Sequence, residues 1–373
     1  KVKLILHVGP PKTGTTALQR ALFGSRESLL DQSVLYPDPA QGKEYNHGSL
    51  CSLFLPYAEA PRGMKQVSEV DYNAKGQFLA QQIKKQNDEQ RPDILILSSE
   101  WFARAHNTPD AHKLIAFAES LGPTKIEILL YARRPSDFFL SASQQRLRAC
   151  SQFKPIFDWN VNGLIDGLKA LAPQHVVTVR TFDRAFLDGG SIITDFARHY
   201  TPAYEGTLNQ AQTSRDNNES FSAEAMVILQ DFRRTRFGDQ EDIFNKYTSR
   251  VMRRLQKFDA IDRCARPKLK PDWKAYLDYG NAQALLLRDK HGVTFSNFDY
   301  ARLERADFEP EPEKSEDVAS FVSVQLERLE RMINYLESSF WSPTRASAYW
   351  LHDLSVRSGC TRHHRRPIWR SIY

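Results

Sequence analysis

Cysteine is scarce and scattered. The four in the chain, Cys51, Cys150, Cys264 and Cys360, form no CxxC pair and lack the density of a disulfide scaffold, so they read as free thiols in a reducing compartment. Cys360 stands near His363 and His364, but no second ligand pair follows to complete a metal site, and no metal is expected. Neither a DxD nor an HExxH pattern occurs, which argues against metal-dependent glycosyl transfer and zinc hydrolysis. No uninterrupted apolar run approaches the ~20 residues of a membrane-spanning helix, and no signal-peptide pattern precedes the first strand. A cytoplasmic location is the resulting expectation. The chain starts without Met, so an upstream anchor or leader stays open. Internal repeats and low-complexity segments are missing as well.

Excess charge is small and unevenly placed. The net charge is +6, yet from Trp341 onward Arg345, Arg357, Arg362, Arg365, Arg366 and Arg370 face Asp353 alone. Such a basic tail, 341–373, can attract an acidic glycan or an anionic lipid surface, or can serve only solubility. Nucleic-acid binding is not implied. With 373 residues and 41% hydrophobic content, the chain can bury a full core.

The first element, Val2 to Val8, is a nearly continuous apolar run ending in Gly-Pro-Pro, which suits a strand buried on both faces. Further apolar runs at Ile94 to Leu97, Ile126 to Tyr131 and Val176 to Val179 alternate with helix-patterned stretches at 15–30, 73–87, 109–121 and 136–149. This alternation predicts an α/β fold, a parallel sheet with helices on both faces. Beyond about Thr201 the pattern becomes helical, at 222–236, 240–258, 272–289 and 317–339. The expected organisation is one domain, 1–340, with an α/β core over 1–200 and a largely helical extension over 201–340, followed by the basic tail.

The informative segment is Leu6-His-Val-Gly-Pro-Pro-Lys-Thr-Gly-Thr-Thr-Ala-Leu. A strand, a Gly-containing loop and a helix with hydroxyls in its first turn gather backbone N–H groups and a helix dipole around one point, which makes an anion site. A Walker A loop reads GxxxxGK[ST]; Gly9, Gly14 and Thr16 keep its spacing, but Thr15 replaces the lysine. The positive charge has moved into the loop as Lys12.

With these residues the chain resembles the sulfotransferases that use 3′-phosphoadenosine 5′-phosphosulfate (PAPS), whose first signature is a PK[ST]GTT loop. Pro11, Lys12, Thr13, Gly14, Thr15 and Thr16 match it at every position. The resemblance implies a P-loop-like fold, PAPS as co-substrate, adenosine 3′,5′-bisphosphate as product, and Lys12 beside the bridging oxygen of the leaving group. It also implies a second anion site for the 3′-phosphate. Arg133 at a strand end and Ser141 eight residues later have the spacing of the family's second signature, and guanidinium and hydroxyl suit a phosphate chemically. Arg134 reads as solvent-facing or salt-bridged.

Sulfuryl transfer to a hydroxyl needs a proton acceptor. Glu100, just beyond the strand that starts at Ile94, takes the place of the histidine used by the small-molecule branch, and carbohydrate-modifying members use a glutamate base. His47, in a loop that could overlie the ligand-binding edge, is the competing base, since histidine titrates near neutrality. Two departures stand out. Ala17 occupies the position of an adenine-holding aromatic, and the later RKG signature of the cytosolic members is missing. The function implied is transfer from PAPS to a hydroxyl, with an amine as the lesser alternative, on a carbohydrate or glycolipid, by a bacterial or carbohydrate-type member. The rivals are a P-loop kinase using ATP and Mg²⁺ and an inactive anion- or glycan-binding module.

Overall fold

Continuous apolar runs need cover on both faces, and this requirement decides the architecture. The computed structural model describes residues 2–39, 44–150, 159–202, 205–210, 220–238, 241, 243–262, 266–313 and 315–339. Strands β1 (Lys3–Val8), β2 (Val34–Leu35), β3 (Ile94–Ser99), β4 (Lys125–Ala132) and β5 (Val176–Thr181) form one sheet of order β2-β3-β1-β4-β5. All its pairings are parallel.

Helices α1 (Thr15–Gly24) and α2 (Arg26–Leu30) follow β1, α3 (Glu69–Gln90) precedes β3, α4 (His112–Ser120) precedes β4, and α5 (Pro135–Leu147) and α6 (Val161–Leu171) precede β5. Beyond the sheet come α7 (Ile192–Tyr200), α8 (Glu205–Gln210), α9 (Ala223–Phe237), α10 (Lys246–Ile261) and α11 (Pro271–Tyr279). The last are α12 (Gln283–His291), α13 (Tyr300–Glu304), α14 (Val318–Phe321) and α15 (Leu326–Ser339).

Alternate residues of β1 point to opposite faces. Leu4, Leu6 and Val8 join a core with Leu79 and Ile83 of α3, Leu114 of α4 and Ile165 of α6. Ile5 joins another with Leu18 and Leu22 of α1 and Phe196 of α7. Helices thus cover both faces, as the alternating pattern predicts. The chain builds β2 and β3 on one side of β1 before crossing to β4 and β5 on the other. In an open α/β sheet the crevice at such a reversal, outside the carboxyl ends of the strands, is where ligands fit.

Two compact units divide the chain. The first, Lys1–Phe138, Asp158–Asn217 and Asn281–Phe308, holds the sheet, and the second is Phe139–Phe157, Asn218–Gly280 and Glu309–Tyr373. The second unit has its own core, built on Phe139, Met226, Leu229, Leu255, Trp273, Phe321 and Met332. This division does not follow the expected boundary near residue 200. Residues 281–308, read from the sequence as part of the helical extension, pack Leu287, Val293 and Phe295 into the first unit's core.

Some expected helices are interrupted. The stretch 15–30 breaks at Ser25, and 272–289 breaks after Gly280. The stretch 317–339 is opened around Val322, which bridges Leu269 antiparallel: Phe321 O accepts from Lys270 N–H at 2.8 Å and Ser323 N–H donates to Lys268 O at 2.9 Å, so these groups pair outside the helix. Cys51 and Cys150 are buried. Cys264, Cys360, the two histidines beside it and the basic tail lie outside the described residues.

Candidate active site

The loop after β1 owes its shape to close approach. Gly9 N–H donates to Ser99 O at 3.2 Å, and a Cβ on Gly9 would stand 2.5 Å from the Thr15 side chain. Lys12 (φ 70) and Gly14 (φ 75) both adopt the left-handed region. For a lysine this conformation costs about 1–2 kcal/mol, so the turn at Lys12 carries strain of the kind found at functional sites. Thr13 Oγ1 donates to Pro10 O at 2.7 Å and lies 3.4 Å from Thr15 Oγ1. These two buried hydroxyls fasten the loop from inside. Pro11 is exposed, and Lys12 and Thr16 are half-buried. Gly14 caps α1 without any side-chain hydrogen bond. The first amides of α1 therefore lack a side-chain acceptor there, and the positive end of its dipole suits an anion.

Arg133, at the carboxyl end of β4, donates from Nη1 to Lys12 O at 2.7 Å. Its guanidinium lies 5.6 Å from the centroid of the Phe182 ring, and its carbonyl accepts from Trp159 Nε1 at 2.8 Å. Phe182 follows β5 directly, and its N–H donates to Ala132 O at 2.7 Å. A Cβ on Gly14 would meet the Phe182 ring at 2.8 Å. The loop and the ends of β4 and β5 are thus one assembly. Phe182 and Trp159 did not figure among the sequence-derived candidates. Phe182 had a usable signal, an aromatic immediately after a strand at the ligand-binding end; Trp159 had none.

Arg134 is not solvent-facing. It is half-buried, donates from Nη1 to Ser296 O at 3.2 Å and covers the Phe298 ring at 5.0 Å. Asp183 accepts from Ser296 N–H and Oγ–H at 2.9 and 2.6 Å. Arg134 and Asp183 together pin residues 296–298 beside the β4 and β5 ends. Ser141 is half-buried on α5 and belongs to the second unit. Its pairing with Arg133 therefore forms no part of the arrangement within the first unit.

Glu100 follows β3 and opens a 3₁₀ turn, 100–107, capped by Ser99 Oγ accepting from Trp101 N–H at 3.1 Å. The residue is exposed by accessible surface, yet enough protein surrounds the carboxyl that desolvation raises its pKa above the ordinary value. The Lys12 ammonium pulls it down and does not win. A carboxylate raised by desolvation beside a cation is the kind of group that marks a candidate functional site.

His47 occupies a different setting from the surface loop expected of it. It is fully buried, its N–H donates to Ser98 O at 2.9 Å, and its Nδ1 accepts from Ser98 N–H at 3.1 Å. Nε2 then carries the proton and bonds Pro37 O at 3.1 Å. Burial lowers its pKa to about 4, against weaker opposing hydrogen bonds to Pro37 and Ser98. With both ring nitrogens committed, His47 serves as an extension of the β3 edge. Below the loop, His7 Nδ1 lies 2.7 Å from Ser98 Oγ, which also accepts from Gln19 Nε2 at 3.1 Å. This contact ties β1, β3 and α1 together one residue before Ser99.

Two other features lie away from this assembly. Asp188, Asp195 and His199 bring ligand atoms within 4.8 Å of one another. The Asp195 oxygens, however, accept from Arg180 at 2.7 Å each and from Tyr131 at 2.8 Å. The guanidinium there supplies the positive charge that a metal would. A cavity of about 260 Å³ among Glu119, Lys125, Gln174 and His175 opens at the amino ends of β4 and β5, the end opposite the loop. Compared with known proteins, the chain matches no protein-family model and no curated protein.

Proposed function

We propose that the chain is a sulfotransferase that moves a sulfuryl group from PAPS to a hydroxyl, or less readily an amine, of a carbohydrate or glycolipid acceptor. One observation carries the reading: Lys12, Glu100 and Arg133 converge on the carboxyl ends of β1, β3 and β4, at the strand-order reversal. The P-loop-like identity of the fold rests on the same strand order and on the strand, loop and helix that begin the chain. The uncapped amides of α1 and the left-handed turn at Gly14 fit an anionic oxygen.

In this reading the α1 amides and Thr16 hold the 5′-phosphosulfate. Glu100, ionised, takes the proton from the acceptor hydroxyl as its oxygen bonds to sulfur and the bond from sulfur to the bridging oxygen breaks. Lys12 stabilises the charge left on that oxygen, the kind of contribution worth several kcal/mol when the donor is preplaced. Arg133 fixes the loop through Lys12 O and is the group proposed to hold the 3′-phosphate. The buried Thr15 leaves no cation at the Walker lysine position, so ATP is the weaker candidate.

The test compares thermal stabilisation by adenosine 3′,5′-bisphosphate with that by ADP and by ATP plus Mg²⁺. A ligand at 100 times its Kd stabilises by about 2.7 kcal/mol. Preference for the bisphosphate is expected, and preference for ATP overturns the reading. Glu100→Gln should keep bisphosphate binding while losing transfer by roughly 10²–10⁴-fold. Near-normal turnover in that variant would remove Glu100 as the base.

A further inference from the structure

Arg148 is a partly enclosed cation without a counter-charge. It follows the end of α5 and is half-buried, and its guanidinium lies 5.4 Å from the centroid of the fully buried Phe221 ring. The Nε atom is closed off from solvent and bonded to nothing. Among the described residues, no acid pairs with the guanidinium and no carbonyl accepts from it. Desolvation lowers the pKa of Arg148 below the ordinary arginine value, and no neighbouring charge opposes the effect. Asp259 accepts from Ser222 N–H at 3.0 Å, next to Phe221, but its other oxygen is committed to Arg328 at 2.7 Å. A charge taken out of water is costly unless it is paired, and an aromatic ring beneath it offsets only part of that cost. The dipole of α5 favours a cation in the last turn, where Arg146 stands; it does not supply the acceptors that Arg148 lacks.

A second donor belongs to the same place. Gln144 stands four residues before Arg148, on the same side of α5, and is 8% exposed. Its Oε1 accepts from Phe221 N–H at 3.0 Å, which makes Nε2 the donor end of the amide. Nothing among the described residues accepts from that nitrogen. A guanidinium and an amide are thus gathered against Phe221 without an acceptor for either. We propose that Arg148 and Gln144 form a binding site for a tetrahedral oxyanion of the sulfate or phosphate class, either the free ion or an ester on a larger molecule. The Nη nitrogens of Arg148, which are not closed off as Nε is, supply the paired N–H bonds that such an anion accepts, and Gln144 Nε2 adds another. Arg148, Gln144 and Phe221 all belong to the second unit, whereas Lys12 and the α1 amides belong to the first. The site therefore stands or falls independently of the transferase reading.

The experiment follows thermal unfolding of the full chain in sodium sulfate, sodium phosphate, methyl phosphate and sodium acetate, each against sodium chloride of the same ionic strength. The parent is compared with Arg148→Met and Arg148→Lys. All three retain the loop after β1, so the site is read from the differences between them. Sulfate and phosphate should raise the Tm of the parent saturably, and Arg148→Met should need on the order of 10-fold more of either ion for the same rise. Arg148→Lys keeps the charge without the fork and should show a smaller rise than the parent, which carries the test if the Met variant does not fold. In chloride alone Arg148→Met should melt no lower than the parent, because no ion pair is lost. A greater rise with methyl phosphate than with phosphate would identify an ester as the ligand, and an equal rise the free ion. Equal rises in the parent and both variants overturn the proposal, and so does acetate as effective as sulfate. A Tm of Arg148→Met well below the parent in chloride, restored in Arg148→Lys, would show that the guanidinium already has its counter-charge and would also overturn it.

Discussion

At Lys12 the backbone and the side chain make opposite demands. Its left-handed φ of 70 suits glycine, while the proposed role of its charge beside Glu100 needs lysine. Lys12→Gly should therefore relieve strain of about 1–2 kcal/mol, offset in part by glycine's larger unfolded entropy of about 0.5–1 kcal/mol. Unfolding in denaturant should show the Gly variant at least as stable as the parent and Lys12→Ala less stable than Lys12→Gly. Both should lose transfer by roughly 10²–10³-fold. Destabilisation by Gly as large as by Ala would mean that the turn is not strained. Glu100 supplies a pH signature. Its folded pKa is raised by desolvation, so the ionised form that can accept a proton disappears as pH falls through a value above the ordinary 4.5. The acid limb of kcat/KM should accordingly lie above that of a solvated glutamate. Since Lys12 lowers this pKa, Lys12→Ala should move the NMR titration of Glu100 upward; movement downward would break the proposed coupling.

At the scale of elements, the best test of the first unit is the join between β5 and α7. Asp195 is buried, and burial alone would raise its pKa. Hydrogen bonds from Arg180, Asp188 N–H and Tyr131 overcome that and hold it below its usual value. A depressed carboxylate contributes stability above the unfolded pKa, and that contribution is lost as pH falls through the lower folded value. Asp195→Asn leaves Arg180 without its counter-charge and should cost about 3 kcal/mol, or roughly 6–12 °C in Tm, at neutral pH. The gap to the parent should narrow in acid; a gap independent of pH would show the loss to be packing alone. The elements also show what the sequence made legible. The runs that became β1, β3 and β4 were readable because strands buried on both faces must be apolar throughout, and the half-buried edge strand β5 was readable from its run of valines. The two-residue β2 offers no such run, whereas α6 and α7 do carry amphipathic patterns, Leu164, Ile165 and Leu168 in one and Ile192, Ile193 and Phe196 in the other, that were not assigned as helices from the sequence. The loop residues were legible because their spacing is chemical. The burial of His47 was not, because it depends on the edge of β3, which is distant in sequence. Phe182, by contrast, was readable in principle as the aromatic that directly follows β5, and its N–H bond to Ala132 O fixes it at the site.

For the whole molecule, the decisive fact is that each unit closes a core of its own. The first gathers its apolar side chains around the sheet. The second gathers them around α9, α10, α14 and α15, where the buried Arg328 binds Glu224 at 2.6 Å and Asp259 at 2.7 Å. Units with separate cores unfold as separate cooperative steps unless an interface couples them. Linkage then assigns the steps, because a ligand stabilises only the unit whose native state it binds. Calorimetry should resolve two transitions. Arg328→Met, which strands acids in the second core, should lower one of them, by a margin consistent with the several kcal/mol lost when one partner of a buried pair is removed. Asp195→Asn should lower the other. Adenosine 3′,5′-bisphosphate should raise chiefly the transition that Asp195→Asn lowers, since Lys12, Glu100 and Arg133 all belong to the first unit. An equal rise in both would contradict a ligand site built on Lys12, Glu100 and Arg133 of the first unit.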